Sequence, residues 1–371
     1  MREDLKTWAG KEMDRICCVL ERNMKRYGTD FPSACASMGR YRIKKNDDWT
    51  NGFWTGMLWM AYLHTGRQTF KELALKNVAS FEERLRDHFV LDHHDIGFLY
   101  SPSVTAAWNV TGEERLKDVI VRAADVLAAR FQEKGGFIQA WGPLGEEKEY
   151  RLIIDSLLNL PLLYTAGNIT DNGYYREIAE RHYDNVIHCI VREDGSTYHT
   201  YYFDKETGRP KYGATHQGFN DQSCWARGQA WAIYGIPLHA RVSGFPMTWE
   251  EREILEKATD YFEKHLLSDG MPYWDLVFTD GDEQPRDSSC LLYTSKSRPI
   301  PVEPAAEYPF CQIFSWIASG IPFPLSQIRI MTVPCNSLTE ISIRPSGFSS
   351  TARYAFWMML ITAREKRIRL T

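Results

Sequence analysis

One grammar is written into this chain four times: an apolar, aromatic stretch ends in a short turn containing glycine, and an amphipathic, charged stretch follows. It appears as GFWTGMLWMAYLHTG with RQTFKELALKNVASFEERLRDH, and as GFLYSPSVTAAWNVTG with EERLKDVIVRAADVLAARFQ. It returns as IIDSLLNLPLLYTAG with YYREIAERHYDNVIHCIV, and as WARGQAWAIYGIPLHARVSG with WEEREILEKATDYFEKHL. A helix that is apolar around most of its circumference must be buried, and one with a single apolar face can shield it. Repeated pairs of this kind describe an all-α chain folded as an α/α toroid, with inner helices in a ring and outer helices around them. The turn glycines Gly66, Gly112, Gly167 and Gly244 stand where left-handed helix C-caps are expected. Residues 2–27 read as a further amphipathic helix ending at Gly28, and residues 30–49 as a loop. The stretch GSTYHTYYFDKETGRPKYGATHQG reads as two short strands and a long loop at the mouth of the ring.

A length of 371 residues and 44% hydrophobic content allow one large core. The net charge of −4 implies no general affinity for nucleic acid. The start, MREDLKTWAGKEMDRICCVL, has neither the unbroken apolar core nor the small-residue cleavage site of a signal peptide. Nowhere do about 18 apolar residues run together, so no membrane span is expected. Eight cysteines without CxxC spacing fit reduced thiols in the cytoplasm better than disulfides or a zinc site. Aromatic content of 13%, with 12 Trp and 19 Tyr, suits sugar stacking as well as core packing. The grammar stops near residue 289. The last 82 residues hold 8 of the 17 prolines and no Asp, and they carry +5 against −9 for the rest. The hexapeptide CLLYTS at 290–295 is what one frame of a sequencing-library transposon end encodes. We therefore expect a catalytic body over residues 1–289 and an anomalous tail over 290–371, frame-shifted or chimeric, with the C-terminal helices missing or corrupted.

Chemistry concentrates in LDHHDIGFLY, where Asp92, His93, His94 and Asp95 directly precede an apolar run. Ionisable groups are costly at such a place unless they are used. A partner for Asp95 lies one hairpin later: Asp155 in RLIIDSLLNLPLLY, flanked by Ile and Leu, where desolvation should raise its pKa. Two carboxylates, one held protonated, form an acid/base arrangement. Arg227, one helical turn before Trp231 and flanked by small and apolar residues, is the candidate cation for an anionic ligand in an acidic body. HHxD could also be half of a metal site, which would need further ligands at fixed spacing.

NDDWTNGFWTGMLWMAY, LDHHDIGFLYS, GFIQAWGP, RLIIDSLLNLPLL, STYHTYYFD, GATHQGFNDQSCWARGQAW and YWDLVFTDGDEQPRDSS together closely resemble the unsaturated glucuronyl hydrolases, glycoside hydrolase family 88. The resemblance covers residues 10–289 in order and fails at Cys290. It implies an (α/α)6 barrel and a metal-free site acting on oligosaccharides left by polysaccharide lyases with a C4=C5 double bond. By that resemblance Asp155 is the acid/base and Asp95 the second acid, binding sugar hydroxyls and biasing Asp155. His94, His199, His216 and Gln217 take positions around the sugar, Trp49, Trp141 and Trp231 form stacking walls, and Arg227 meets the uronate. The implied partner is a small oligosaccharide with a terminal unsaturated uronic acid, with neither nucleic acid nor membrane involved.

Two other readings stay open at this level. The related unsaturated rhamnogalacturonyl hydrolases share the barrel and the hydration chemistry, although DHHD and RGQAW fit the glucuronyl group better. A sugar-binding or inactive barrel is the reading of a different class, and the damaged C-terminus is its support.

Overall fold

The computed structural model of the chain describes residues 2–37, 40–268 and 272–285. The tail beyond 289 lies outside the described residues. Each repeat resolves into the expected pair. Helix α1 spans Arg2–Tyr27, followed by α2 (Asn51–Thr65) and α3 (Gln68–Arg86). Next come α4 (Ile96–Tyr100), a π-helical turn (Ser101–Thr105), α5 (Ala106–Thr111) and α6 (Leu116–Ala128). The π turn falls at Pro102, which has no N–H to offer the α-helical ladder. Then follow α7 (Leu160–Thr170), α8 (Gly173–Ile190), α9 (Ala226–Ser243) and α10 (Trp249–Lys264). Counting α4 to α5 as one rod, nine rods stand among the described residues, all before residue 290.

Burial follows the sequence pattern. Every residue of α2 from Asn51 to Ala61 is buried, whereas α3 buries Phe70, Leu73, Ala74, Val78, Phe81 and Leu85, spaced three and four apart on one face. Helix α2 packs on α4, α4 on α7 and α7 on α9, so the apolar helices form a consecutive inner row. Helices α3, α8 and α10 flank their partners α2, α7 and α9, and α6 packs on α4 and α7. Two glycines let the inner row close up. A Cβ on Gly52 would lie 2.1 Å from the Phe98 carbonyl oxygen, and one on Gly97 would lie 2.3 Å from Asn159 Cα.

Gly66, Gly112 and Gly244 are left-handed caps, with φ of 70°, 72° and 80°. Gly167 is not a cap. Helix α7 runs on to Thr170, and Asp171 takes the left-handed position at φ 54°. The expected loop over 30–49 is also corrected, because it contains an antiparallel hairpin, β1 (Phe31–Ser37) with β2 (Arg40–Lys44). Its alternation is blurred by a register shift between Pro32 and Ala36, which hides a strand from a period-two reading. A short pair, β3 (Phe131–Gln132) with β4 (Phe137–Ile138), closes the turn after α6. The expected strand pair is present as β6 (Thr200–Phe203) and β7 (Pro210–Ala214), joined by β5 (Arg151–Ile153) into a three-stranded antiparallel sheet. That sheet leads straight into the 3-10 helix Ile154–Leu158, which packs on α9.

Backbone, unlike a flexible side chain, cannot give way to a new methyl group. Gly97→Ala is expected to lower unfolding free energy by about 1–3 kcal/mol, as overpacking does in cores. Urea denaturation would measure it, and a variant as stable as the parent would show that the α4 to Asn159 contact is looser than drawn.

Candidate active site

The Gly97 contact sets the geometry of two carboxylates. Asn159 Oδ1 accepts the N–H of Phe98 at 2.8 Å, which ties the start of α4 to the end of the 3-10 helix. Asp95 sits at the N-cap position of α4, yet its side chain makes no cap hydrogen bond. Asp155 is the second residue of the 3-10 helix, and that helix too is uncapped by a side chain. Neither carboxylate is spent on capping its helix. They converge on His94, whose Nε2 lies 3.4 Å from Asp95 Oδ1 and 3.5 Å from Asp155 Oδ1. One ligand atom from each of the three residues falls within 4.8 Å of the others.

The two acids are pushed in opposite directions. Burial raises the Asp155 pKa well above the ordinary carboxylate range, the Asp95 charge raises it further, and Arg227 and a backbone N–H only partly offset this. Burial also acts upward on Asp95, but His94 and then His93 and Arg130 outweigh it and hold Asp95 below its usual value. Like charges this close resist double ionisation, so the pair keeps one proton, and it resides on Asp155. His94 is pushed down to about 4, chiefly by burial, and is neutral at pH 7.

Around the acids stands a second group on the β5–β6 sheet and the loop after β7. Arg151, 3% exposed, lies between the Trp141 ring (4.6 Å to its centroid) and the Tyr202 ring (5.1 Å). Its guanidinium donates to Tyr202 Oη, His216 Nε2 and Glu149 Oε2, the last at 2.8 Å. His216 N–H donates to His199 Nδ1 at 2.9 Å, which leaves the His199 proton on Nε2. Burial pushes His199 down to about 3, so that tautomer persists through neutral pH. Arg227, at the start of α9, lies 4.7 Å from the Trp225 ring centroid, and Trp225 packs edge-on against His199.

Buried polar groups hold the loops that carry these side chains. Arg84 on α3 donates to the Asp48 carbonyl beside Trp49 and to the Phe89 and Val90 carbonyls ahead of Leu91–Asp95. Arg130 donates to the Gln139 and Gly142 carbonyls on either side of Trp141. His182 on α8 accepts the Ile138 N–H through Nδ1 and donates through Nε2 to Ser156 Oγ at 2.7 Å, next to Asp155. Asp275 accepts from Phe219 N and Ser223 Oγ, fixing the loop of His216 and Gln217.

The expected residues thus fall into groups. Asp95, Asp155 and His94 meet directly, while His199, His216, Trp141 and Arg227 line the adjoining wall. Trp49 packs on Phe98 and Phe53, and Trp231 is 2% exposed against the same Phe98, so Trp231 backs the wall rather than offering an open face. Gln217 is exposed on the loop beyond His216. Sequence reasoning missed Arg151, Trp225 and Tyr202. The signal for Arg151 was its place opening RLIID, an arginine at the head of a buried strand.

A His–Asp–Asp trio has the makings of a three-point cation site. A ligating imidazole is normally braced through its second nitrogen, yet His94 Nδ1 is buried with no hydrogen-bond partner. With its proton held on Asp155, the trio suits proton transfer better than cation binding.

A helix-rich chain with paired, oppositely shifted carboxylates beside aromatic and cationic walls is built like a glycoside hydrolase. The model of glycosyl hydrolase family 88 matches residues 23–291, and the chain belongs to that family. It is similar to the unsaturated chondroitin disaccharide hydrolase of Streptococcus pneumoniae, with 46% identity over 280 residues, covering 76% of this chain and 70% of that one. It is also similar to a crystal structure of unsaturated glucuronyl hydrolase from Streptococcus agalactiae, at TM-score 0.73 and 40% identity, covering 86% and 80% of the two chains. A variant of that enzyme solved with dGlcA-GalNAc6S aligns at TM-score 0.66 and 35% identity, covering 84% and 79%.

A folded-state pKa raised on an acid favours the fold below the unfolded pKa and penalises it as pH rises toward the folded value. Asp155→Asn removes that penalty. Its melting temperature should match the parent's near pH 4 and exceed it by about 2–4 °C per kcal/mol relieved at pH 8, the scale expected for a domain this size. Equal melting temperatures at both pH values would mean that Asp155 ionises freely.

Proposed function

We propose that this chain is an unsaturated glucuronyl hydrolase acting on lyase-generated, glycosaminoglycan-type oligosaccharides, and that it hydrates the C4=C5 vinyl ether of the terminal unsaturated uronic acid. The observation that carries this reading is the opposed shift of two carboxylates held within reach of one another. Hydration needs a proton delivered to carbon, and a carboxyl that retains its proton is the group for that task. Asp155 gives its proton to C4 as the π electrons form the new C–H bond, leaving positive charge at C5 shared with the ring oxygen. Water adds at C5 and returns a proton to the Asp155 carboxylate. The hemiketal then opens and the aglycone leaves.

In this reading ionised Asp95 accepts from sugar hydroxyls and keeps Asp155 protonated. Neutral His94, His199 and His216, with Gln217, bond the sugar. Trp49 and Trp141 stack on it, with Trp231 behind, and Arg227 faces the uronate carboxylate. We read the inner row of helices as part of an (α/α)6 barrel and residues 1–289 as the catalytic body. Among the described residues no helix is long and apolar enough to cross a membrane. The five described cysteines are free, which supports a cytoplasmic setting.

The double bond conjugated to the carboxylate absorbs ultraviolet light, and hydration abolishes the band. Unsulfated unsaturated chondroitin disaccharide should lose absorbance with the parent chain, and Asp155→Asn should lower kcat by about 10²–10⁴-fold. A folded parent that leaves this band intact while consuming pectin-derived unsaturated disaccharides would move the assignment to the rhamnogalacturonyl group. Asp95→Asn removes the charge that helps hold the proton on Asp155. The alkaline limb of its residual kcat–pH profile should therefore shift to lower pH, and an unmoved limb would assign the titrating acid elsewhere.

A further inference from the structure

Next to Trp141 the sheet carries three side chains, Arg151, Tyr202 and Tyr212, that the reaction above does not use. In the β5–β6–β7 register Arg151 pairs with Tyr202, and Tyr202 with Tyr212, so the three project from one face. Arg151 covers the Trp141 ring on one side and the Tyr202 ring on the other. Tyr202 in turn stacks on Tyr212 with centroids 4.9 Å apart and planes 21° from parallel. The row therefore runs Trp141, Arg151, Tyr202, Tyr212, from the pocket wall to the sheet edge. At its end Tyr212 is 55% exposed, on an edge strand whose first three residues are all exposed.

An aromatic ring held by stacking on one face and open on the other presents a rigid apolar plane, the surface against which a pyranose ring packs. The ring is pre-ordered, so binding against it loses little side-chain entropy. We propose that Tyr212, backed by Tyr202, is an outer sugar subsite that stacks on a residue of the aglycone beyond the one joined to the unsaturated uronate. This rests on the function proposed above. It makes the chain selective for unsaturated tetrasaccharides over disaccharides.

The test compares unsaturated chondroitin di- and tetrasaccharides, unsulfated, by the ultraviolet assay for the parent, Tyr212→Ala and Tyr212→Phe. Tyr212→Ala should raise the tetrasaccharide KM about 10-fold, the equivalent of one stacked ring, and move the disaccharide KM by less than about two-fold. Tyr212→Phe should keep the parental preference, because the ring and not the hydroxyl makes the contact. Equal losses on both substrates would mean that the substitution acts through Tyr202 and Arg151 on the pocket, and no loss on either would mean that no sugar reaches the ring; each overturns the proposal. Dissociation constants measured by tryptophan fluorescence on the Asp155→Asn background keep this separate from turnover. Tetrasaccharide binding weakened by Tyr212→Ala upholds the subsite even if the chemistry assigned to Asp155 fails, whereas binding indifferent to it rejects the subsite even if that chemistry stands.

Discussion

The site depends on one close backbone approach. Where Gly97 of α4 meets Asn159, no side chain intervenes, and the Asn159 amide oxygen takes the N–H of Phe98. Asp95 lies two residues before that contact on one segment and Asp155 four residues before it on the other. The separation of the two carboxyls is therefore set by main chain and not by flexible side chains. The electrostatics of the acid pair follow, because two half-buried carboxyls held this close resist double ionisation. The surroundings choose between them: His93 and Arg130 favour charge on Asp95, while burial and the Asp95 charge keep the proton on Asp155 and Arg227 only partly offsets them.

Precision of this kind needs support beyond the contacting residues. Arg84, Arg130, His182 and Asp275 touch neither acid, yet each satisfies the polar groups of a loop or turn that carries a pocket residue. Their charges and rings are buried, and such burial is tolerable only because the hydrogen bonds are made. The outer helices α3 and α8 do more than cover the inner row, since they send Arg84 and His182 inward to brace the loops at one end of it. These braces tie the outer helices to the pocket, so changes in α3 reach it through the carbonyl groups held by Arg84 and changes in α8 through the Ile138 N–H and Ser156 hydroxyl held by His182.

The legible part of the fold was the part with short-range periodicity. GFWTGMLWMAY is apolar all round and RQTFKELALKNVASFEERLR on one side only, and these patterns decide burial whatever the neighbours do. The hairpin at Phe31–Lys44 was missed because a register shift breaks its alternation, and Gly167 misled because a glycine near a helix end resembles a cap, whereas α7 continues past it to Thr170. Asp155 announced itself by its Ile and Leu neighbours. Arg151 did not, because a strand arginine is ordinary until the ring partners on either side of it are known.

The sequence by itself determined the paired helices, the acids of the pocket and the family, because amphipathic period, local apolar flanks and ordered motifs are properties of neighbouring residues. Only the tertiary structure decided that both acids meet at one histidine, which tautomer His199 adopts and which aromatic rings face outward. Those depend on the field and packing of groups tens of residues apart, such as His94 with Asp155, His199 with His216, and Trp141 with Tyr202 through Arg151. Proximity of that kind is made by folding, and no local pattern records it.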